Sequence, residues 1–162
     1  HKGMKIGFGS IGKGYAADRA RTILKNSGVI AGIMNASGDI STWGTQVSGE
    51  PWAIGVNNPF KEEKMAAIIQ QKGEVSVTTS GSYEKFAEIN GKRFSHIINP
   101  KTGMPSTGLT SVTIIGPDAT TANGFSTSVM VLGKKKGLKL LKKNKDYKYI
   151  IITDKGNVFR SL

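Results

Sequence analysis

The sequence predicts an α+β fold in which antiparallel hairpins carry a few packed helices. Two hairpin signals point there: Asn90-Gly91 between two strand-like runs, and Asp154-Lys155-Gly156-Asn157 near the carboxyl end. The third observation is helical periodicity concentrated after Gly12 and after Asp118. Strands gathered into hairpins, rather than alternating regularly with helices, favour helices laid on an antiparallel sheet. At 162 residues the chain fits one domain, 1–162, with a usable core.

Met4-Lys5-Ile6 reads as the end of a strand, followed by Gly7, Gly9, Gly12 and Gly14, four glycines in eight residues. A helix follows, with Ala16, Ala20, Ile23 and Leu24 inward and Asp18, Arg21 and Lys25 outward. At such a junction backbone can approach a ligand closely, and the first helical N–H groups suit an anion. Lys13 adds a mobile positive charge, so the turn is a candidate phosphate site. A tight strand-to-helix turn without any ligand is the rival reading. Gly7-x-Gly9-x-x-Gly12 also matches the dinucleotide fingerprint, but no acid lies between Asp18 and Asp39 to bind a ribose. Gly7-x4-Gly12-Lys13 nearly spells a P-loop, and Gly14 stands where Ser or Thr is needed for magnesium.

Gly28 to Met34 is a short apolar run expected to be a buried strand, closed by the small-residue turn Asn35-Ala36-Ser37-Gly38-Asp39. Strands are expected at 40–43 and 52–56 around a Gly/Ser/Pro loop at 44–51, with a turn at Asn57-Asn58-Pro59. Residues 65–71 are ambiguous between helix and strand. Residues 74–78 alternate like a strand that Thr79-Ser80-Gly81-Ser82 breaks. Residues 83–89 and 92–98 then flank Asn90-Gly91, with Phe94, His96 and Ile98 on one face and Arg93, Ser95 and Ile97 on the other. His96, the one internal histidine, stands just before a loop of turn residues at 99–105; alone it makes neither a triad nor a metal site.

A strand at 111–115 leads through Gly116-Pro117 to Asp118, a good N-cap. Ala122, Phe125, Val129 and Leu132 then recur at helical spacing up to Gly133. Asn123 and Thr127, four apart, share a face; their oxygens suit a hard cation or simply neighbouring backbone. Residues 134–143 form a basic helix carrying Leu138, Leu140 and Leu141, and a hairpin at 149–153 and 158–161 ends the chain.

The formal net charge is +12, and eight of the 23 basic residues fall between Lys134 and Lys148. Only Tyr147 interleaves an aromatic ring there and no nucleic-acid motif appears, so a solvated helix face is favoured over a nucleic-acid or membrane surface. Without cysteine there is no disulfide, thiolate metal site or cysteine nucleophile. No apolar run is long enough to span a bilayer. The opening His1-Lys2-Gly3, with neither leader nor starting methionine, has the look of a fragment or processed product.

Four segments taken together resemble the flavin transferase family ApbE: residues 9–18, 35–39, 79–83 and 95–105. They stand in the family's order, with Trp52-x-Ile54-Gly55-Val56-x-Asn58-Pro59 between the second and third, and 119–133 is similar to the family's metal-binding helix. The match covers essentially the whole chain. Each motif is weak alone; the ordered set is specific. The resemblance implies an ApbE-like, T-fold-related domain whose amino-terminal half is absent here. It implies a magnesium-dependent reaction in which FAD is cleaved, FMN is joined to a threonine of an acceptor protein, and AMP leaves. Some relatives hydrolyse FAD to FMN and AMP instead, and an FAD binder without turnover is the weaker variant.

Carried over residue by residue, the resemblance implies FAD contacts at Gly7, Gly9, Gly12, Lys13, Gly14, Asp39, Ser80, His96, Ile97 and Ile98. His96 is the candidate catalytic residue. Ser10, through its backbone oxygen, Asn123 and Thr127 fall on metal-ligand positions. Family members usually carry Asp where this chain has Gly7, Asn99 and Asn123. Gly7 removes a side-chain contact, and Asn123 offers an oxygen without a charge. Export to the periplasmic side of the cell envelope, through a lipid anchor on the missing part, is likewise implied; nucleic acid is not an expected partner, and the oligomeric state is left open. A Rossmann-type domain and a basic interaction module are the readings from other classes.

Overall fold

The computed structural model describes residues 2–61, 64–83, 86–89 and 92–161. Helix α1 is Gly12–Asn26, and strands β1 to β5 are Gly32–Ala36, Asp39–Trp43, Trp52–Asn57, Met65–Gln71 and Val75–Gly81. The hairpin of β6 (Phe86–Ile89) and β7 (Lys92–Ser95) precedes β8 (Leu109–Gly116), α2 (Ala119–Leu141), β9 (Lys148–Thr153) and β10 (Val158–Arg160). Six strands form one sheet in the order β1-β2-β5-β8-β9-β10, and β3-β4 and β6-β7 are separate two-stranded ribbons. Every strand pairing among the described residues is antiparallel. The α+β expectation holds. The Rossmann reading falls, because it needs parallel strands joined by helices.

The core is built on β8, whose residues from Ser111 to Gly116 are all buried. Alternation sends Val112 and Ile114 to one face, where they meet Ala122, Val129 and Met130 of α2 and Ile151 of β9. Ile115 faces the other way with Val77, Ile150 and Ile152, and there Ile54, Val56 and Ile69 of the β3–β4 ribbon cover them. The molecule therefore has three layers: two helices, a six-stranded sheet and a ribbon. Antiparallel sheets often leave one face to water, but this one is covered on both.

Several local expectations fail for reasons visible in the packing. No strand forms at residues 4–6. No described residue pairs with them, and Ile6 and Phe8 are exposed. Helix α1 turns the opposite way from its apolar stripe: Gly14, Ala17 and Arg21 are buried, while Ile23 is exposed. Its inner face is small or polar because it docks by hydrogen bonds rather than by an apolar seam. The run 28–34 is not a buried strand; β1 begins at Gly32 as a sheet edge, and Ile30 is 91% exposed. An edge strand buries at most alternate residues.

Residues 79–81 do not break β5. The strand runs through Gly81 because β8 pairs with it to the end, Ser80 opposite Val112 and Gly81 opposite Ser111. Residues 65–71 resolve as strand β4, fixed by pairing with β3. Asn90-Gly91 lies outside the described residues, but Ile89 pairs with Lys92 on either side of it. The turn at 35–39 is as expected: Ser37 and Gly38 both have positive φ between paired Ala36 and Asp39. Asp118 caps α2 by accepting the Thr121 N–H at 2.7 Å. Gly133 has φ 72° and ψ 171°, so α2 is two helical pieces divided at that residue, and the basic segment is the second. The closing hairpin forms as β9 and β10.

Candidate functional site

The turn ahead of α1 is closed by the Phe8 carbonyl, which accepts N–H bonds from Ile11 at 3.1 Å and Gly12 at 2.7 Å. Two amide donors that a helix start usually leaves open are used inside the turn. The turn brings Gly9, Ser10 and Lys13 to the mouth of a cavity of about 600 Å³. Thr79, Ser80 and Gly81 at the end of β5 form one wall, and Asn123, Thr127 and Val131 of α2 form another. The segment after β7 adds His96, Ile97, Ile98 and Pro100. That segment is held by an Ile98–Pro105 bridge and by the Ser106 N–H bonded to the Ile97 carbonyl at 2.8 Å.

The polar floor is made of neutral oxygens. Ser80 Oγ shares hydrogen bonds with Ser126 Oγ at 2.7 Å and Thr127 Oγ1 at 3.2 Å. Asn123 is 3% exposed, and its Oδ1 has no hydrogen-bond partner among the described residues. A buried amide oxygen left without a donor normally costs stability, and a ligand at the site relieves that cost. Among the described residues no cluster of three His, Cys, Asp or Glu side chains could hold a metal. The donors present are hard oxygens, which suit magnesium with water completing its shell. They fit that ion and not a thiophilic one.

Of the residues singled out from the sequence, Gly9, Ser10, Lys13, Ser80, His96, Ile97, Ile98, Asn123 and Thr127 line this one cavity. Gly7, Gly12, Gly14 and Asp39 are not on its wall. Gly7 is exposed in open space. Gly12 opens α1. Gly14 is packed so tightly on α2 that a Cβ there would overlap the Ala119 carbonyl. Asp39 is fully buried at the start of β2, 3.9 Å from Lys13 Nζ, which also donates to the Ser37 carbonyl at 2.9 Å. Lys13 thereby ties the glycine turn to the β1–β2 turn beside the cavity.

Asp18, read from the sequence as outward, is turned inward. Its carboxylate accepts the N–H groups of Ala119 at 3.0 Å and Thr120 at 2.8 Å, and hydroxyl bonds from Thr120 at 2.7 Å and Ser41 at 2.8 Å. Arg21 adds a bond to it at 3.3 Å and reaches the carbonyls of Pro117 and Thr42. Hydropathy spacing has no means of separating such a buried polar anchor from a solvated one. Ser126 was missed too; its place three residues after Asn123 on the same helix was the available signal.

Burial, the largest influence, pushes the Asp18 pKa up, but the bonds from Ala119, Thr120 and Ser41 together outweigh it and hold it below 3.8. Glu74 is held below 4.5, chiefly by its hydrogen bond from Lys25 against a smaller effect of burial. Both folded-state values lie below the unfolded ones. The stability they contribute is therefore full above those unfolded values and is lost as pH falls through the folded ones. The urea midpoint is expected to fall from pH 5 to pH 2.5, and to fall less in Asp18→Asn; equal slopes in the two proteins would refute the assignment.

The sequence model of the ApbE family matches residues 1–151. The chain belongs to the ApbE family. An FAD:protein FMN transferase of Salmonella typhimurium is 34% identical over 142 residues, 86% of this chain and 40% of that protein. The protein of the same name from Haemophilus influenzae is 35% identical over 159 residues, 96% of this chain and 46% of its own. Among solved structures, the ApbE protein of Thermotoga maritima superposes with a TM-score of 0.90 at 38% identity, covering 99% of this chain and 52% of that one. The apo flavinyl transferase ApbE of Pseudomonas stutzeri gives 0.80 at 32% identity, covering 97% and 49%. This ApbE-family chain thus spans about half the length of the relatives it matches.

Proposed function

We propose that this chain supplies the phosphate- and metal-facing part of an FAD:protein FMN transferase, which cleaves FAD, joins FMN to an acceptor threonine and releases AMP. The observation that carries the reading is the convergence of the glycine turn, the end of β5, the His96 segment and Asn123/Thr127 on one cavity. FAD is the substrate. Lys13, 43% exposed and beside the glycine turn, is placed to attract its diphosphate. Ile97 and Ile98 offer apolar wall to a flat ring, and His96 on the same wall is the candidate to give or take a proton.

Asn123 Oδ1, Thr127 Oγ1 and the Ser10 backbone oxygen are the groups that would hold magnesium. When bound, magnesium supplies positive charge to phosphoryl oxygens as negative charge develops on them. Asn123 brings no charge, so the ion is held less tightly than an Asp at that position would hold it. Location on the outer face of a membrane through a lipid anchor belongs to the same proposal, and cell fractionation checks it.

The test uses the longest natural form, incubated with FAD, magnesium and a threonine-bearing acceptor. Protein-linked flavin fluorescence with release of AMP is the expected result. Free FMN without linked flavin would make the protein an FAD pyrophosphatase. Bound but unchanged FAD would make it a binder.

A further inference from the structure

We propose that Asp18 is a positioning residue: it sets the spacing between the glycine turn and the Asn123/Thr127 pair, and so the site's affinity for its divalent cation. The inference rests on the functional reading above and deepens it. Ala119 and Thr120 are the first two residues of α2, where helical N–H groups have no carbonyl of their own to meet. Asp118, the helix's own cap, takes the Thr121 N–H. The two N–H groups before it go to Asp18, a residue of another helix 101 and 102 positions away. The negative carboxylate also sits at the positive end of the helix dipole.

The hold has two points. Asp18 is one turn beyond Gly14 on α1, and Gly14 lies against Ala119 and Thr120 with no room for a Cβ. Both points grip the first turn of α2, and Asn123 is on the next turn. On the α1 side, Lys13 precedes Gly14 directly, and Ser10 stands in the turn just ahead of the helix. One carboxylate therefore ties together the two elements that face each other across the cavity. Ser41 Oγ extends the tie to β2, and Arg21 restrains the carboxylate from the side. Among the described residues Asp18 is not part of the cavity wall and forms no hydrogen bond to Asn123 or Thr127, so its effect is through placement.

Asp18→Asn in the full-length protein keeps the size and replaces one acceptor oxygen by a donor that faces donors. The expected result is a rise of about tenfold in the magnesium concentration for half-maximal turnover, within the range seen when groups behind metal ligands are altered. Calorimetric magnesium binding without flavin is expected to weaken equally, with kcat at saturating metal changed less than about threefold. Thr120→Val, which removes only the hydroxyl bond to Asp18, is the milder variant if Asp18→Asn folds poorly, and shifts the same quantity in the same direction. In a double-mutant cycle the Asp18→Asn effect on metal binding shrinks when Thr127 is already valine, whereas a purely structural defect adds independently. Wild-type binding of magnesium retained unchanged by both variants overturns the positioning role alone. Absence of magnesium binding by the wild type overturns the functional reading and this inference with it.

Discussion

Thr127→Val in the full-length protein is expected to fold normally and to lose magnesium-dependent turnover, its apparent magnesium affinity falling by about tenfold or more. Valine keeps the branched shape and deletes one oxygen. If the hydroxyl only bonded Ser80 Oγ, 3.2 Å away, the cost would be about 1 kcal/mol of stability with no change in metal response. The two outcomes separate cleanly in a magnesium titration set beside a thermal melt. Unchanged magnesium dependence removes Thr127 as a ligand. The expected magnitude is large because the proposed donor set contains no side-chain carboxylate: with Asn123 neutral, each remaining oxygen would carry a larger share of the attraction.

Ile151→Ala is expected to lower unfolding free energy by about 2–5 kcal/mol. Ile151 is fully buried on β9 and packs with Val112, Ile114, Val129 and Met130 in the layer between sheet and α2. Truncation leaves a cavity that the neighbouring strands, tied by ladder bonds, cannot collapse into. Ile30→Ala is the control. Its side chain is 91% exposed, and the change is expected to stay within about 0.5 kcal/mol. Urea unfolding of the two variants checks both; similar midpoints would mean that the assigned core is wrong.

The elements most legible in the sequence were those specified by local chemistry. The Ser37-Gly38 turn needs two residues tolerant of positive φ, and the residues there announce it. Asp118 follows Gly116-Pro117 and faces an apolar periodic run, so the start of α2 could be read directly. Gly133 marked the division of α2 because its backbone conformation excludes most side chains. Nine candidate site residues from four separate motifs line one cavity, and the spacing of Asn123 and Thr127 was enough to put both on one face.

What local chemistry could not settle was every choice made between distant segments. Whether 79–81 ends a strand depends on whether β8 continues alongside it, and that partner lies some thirty residues away. Which face of α1 is inward depends on α2 presenting two bare N–H groups to Asp18 across a gap that only Gly14 leaves open. An apolar residue carries its preference for burial with it, through water's aversion to its surface. A carboxylate has no such preference until donors surround it; the same Asp18 is a solvated charge in an isolated helix and a buried anchor once the chain has folded.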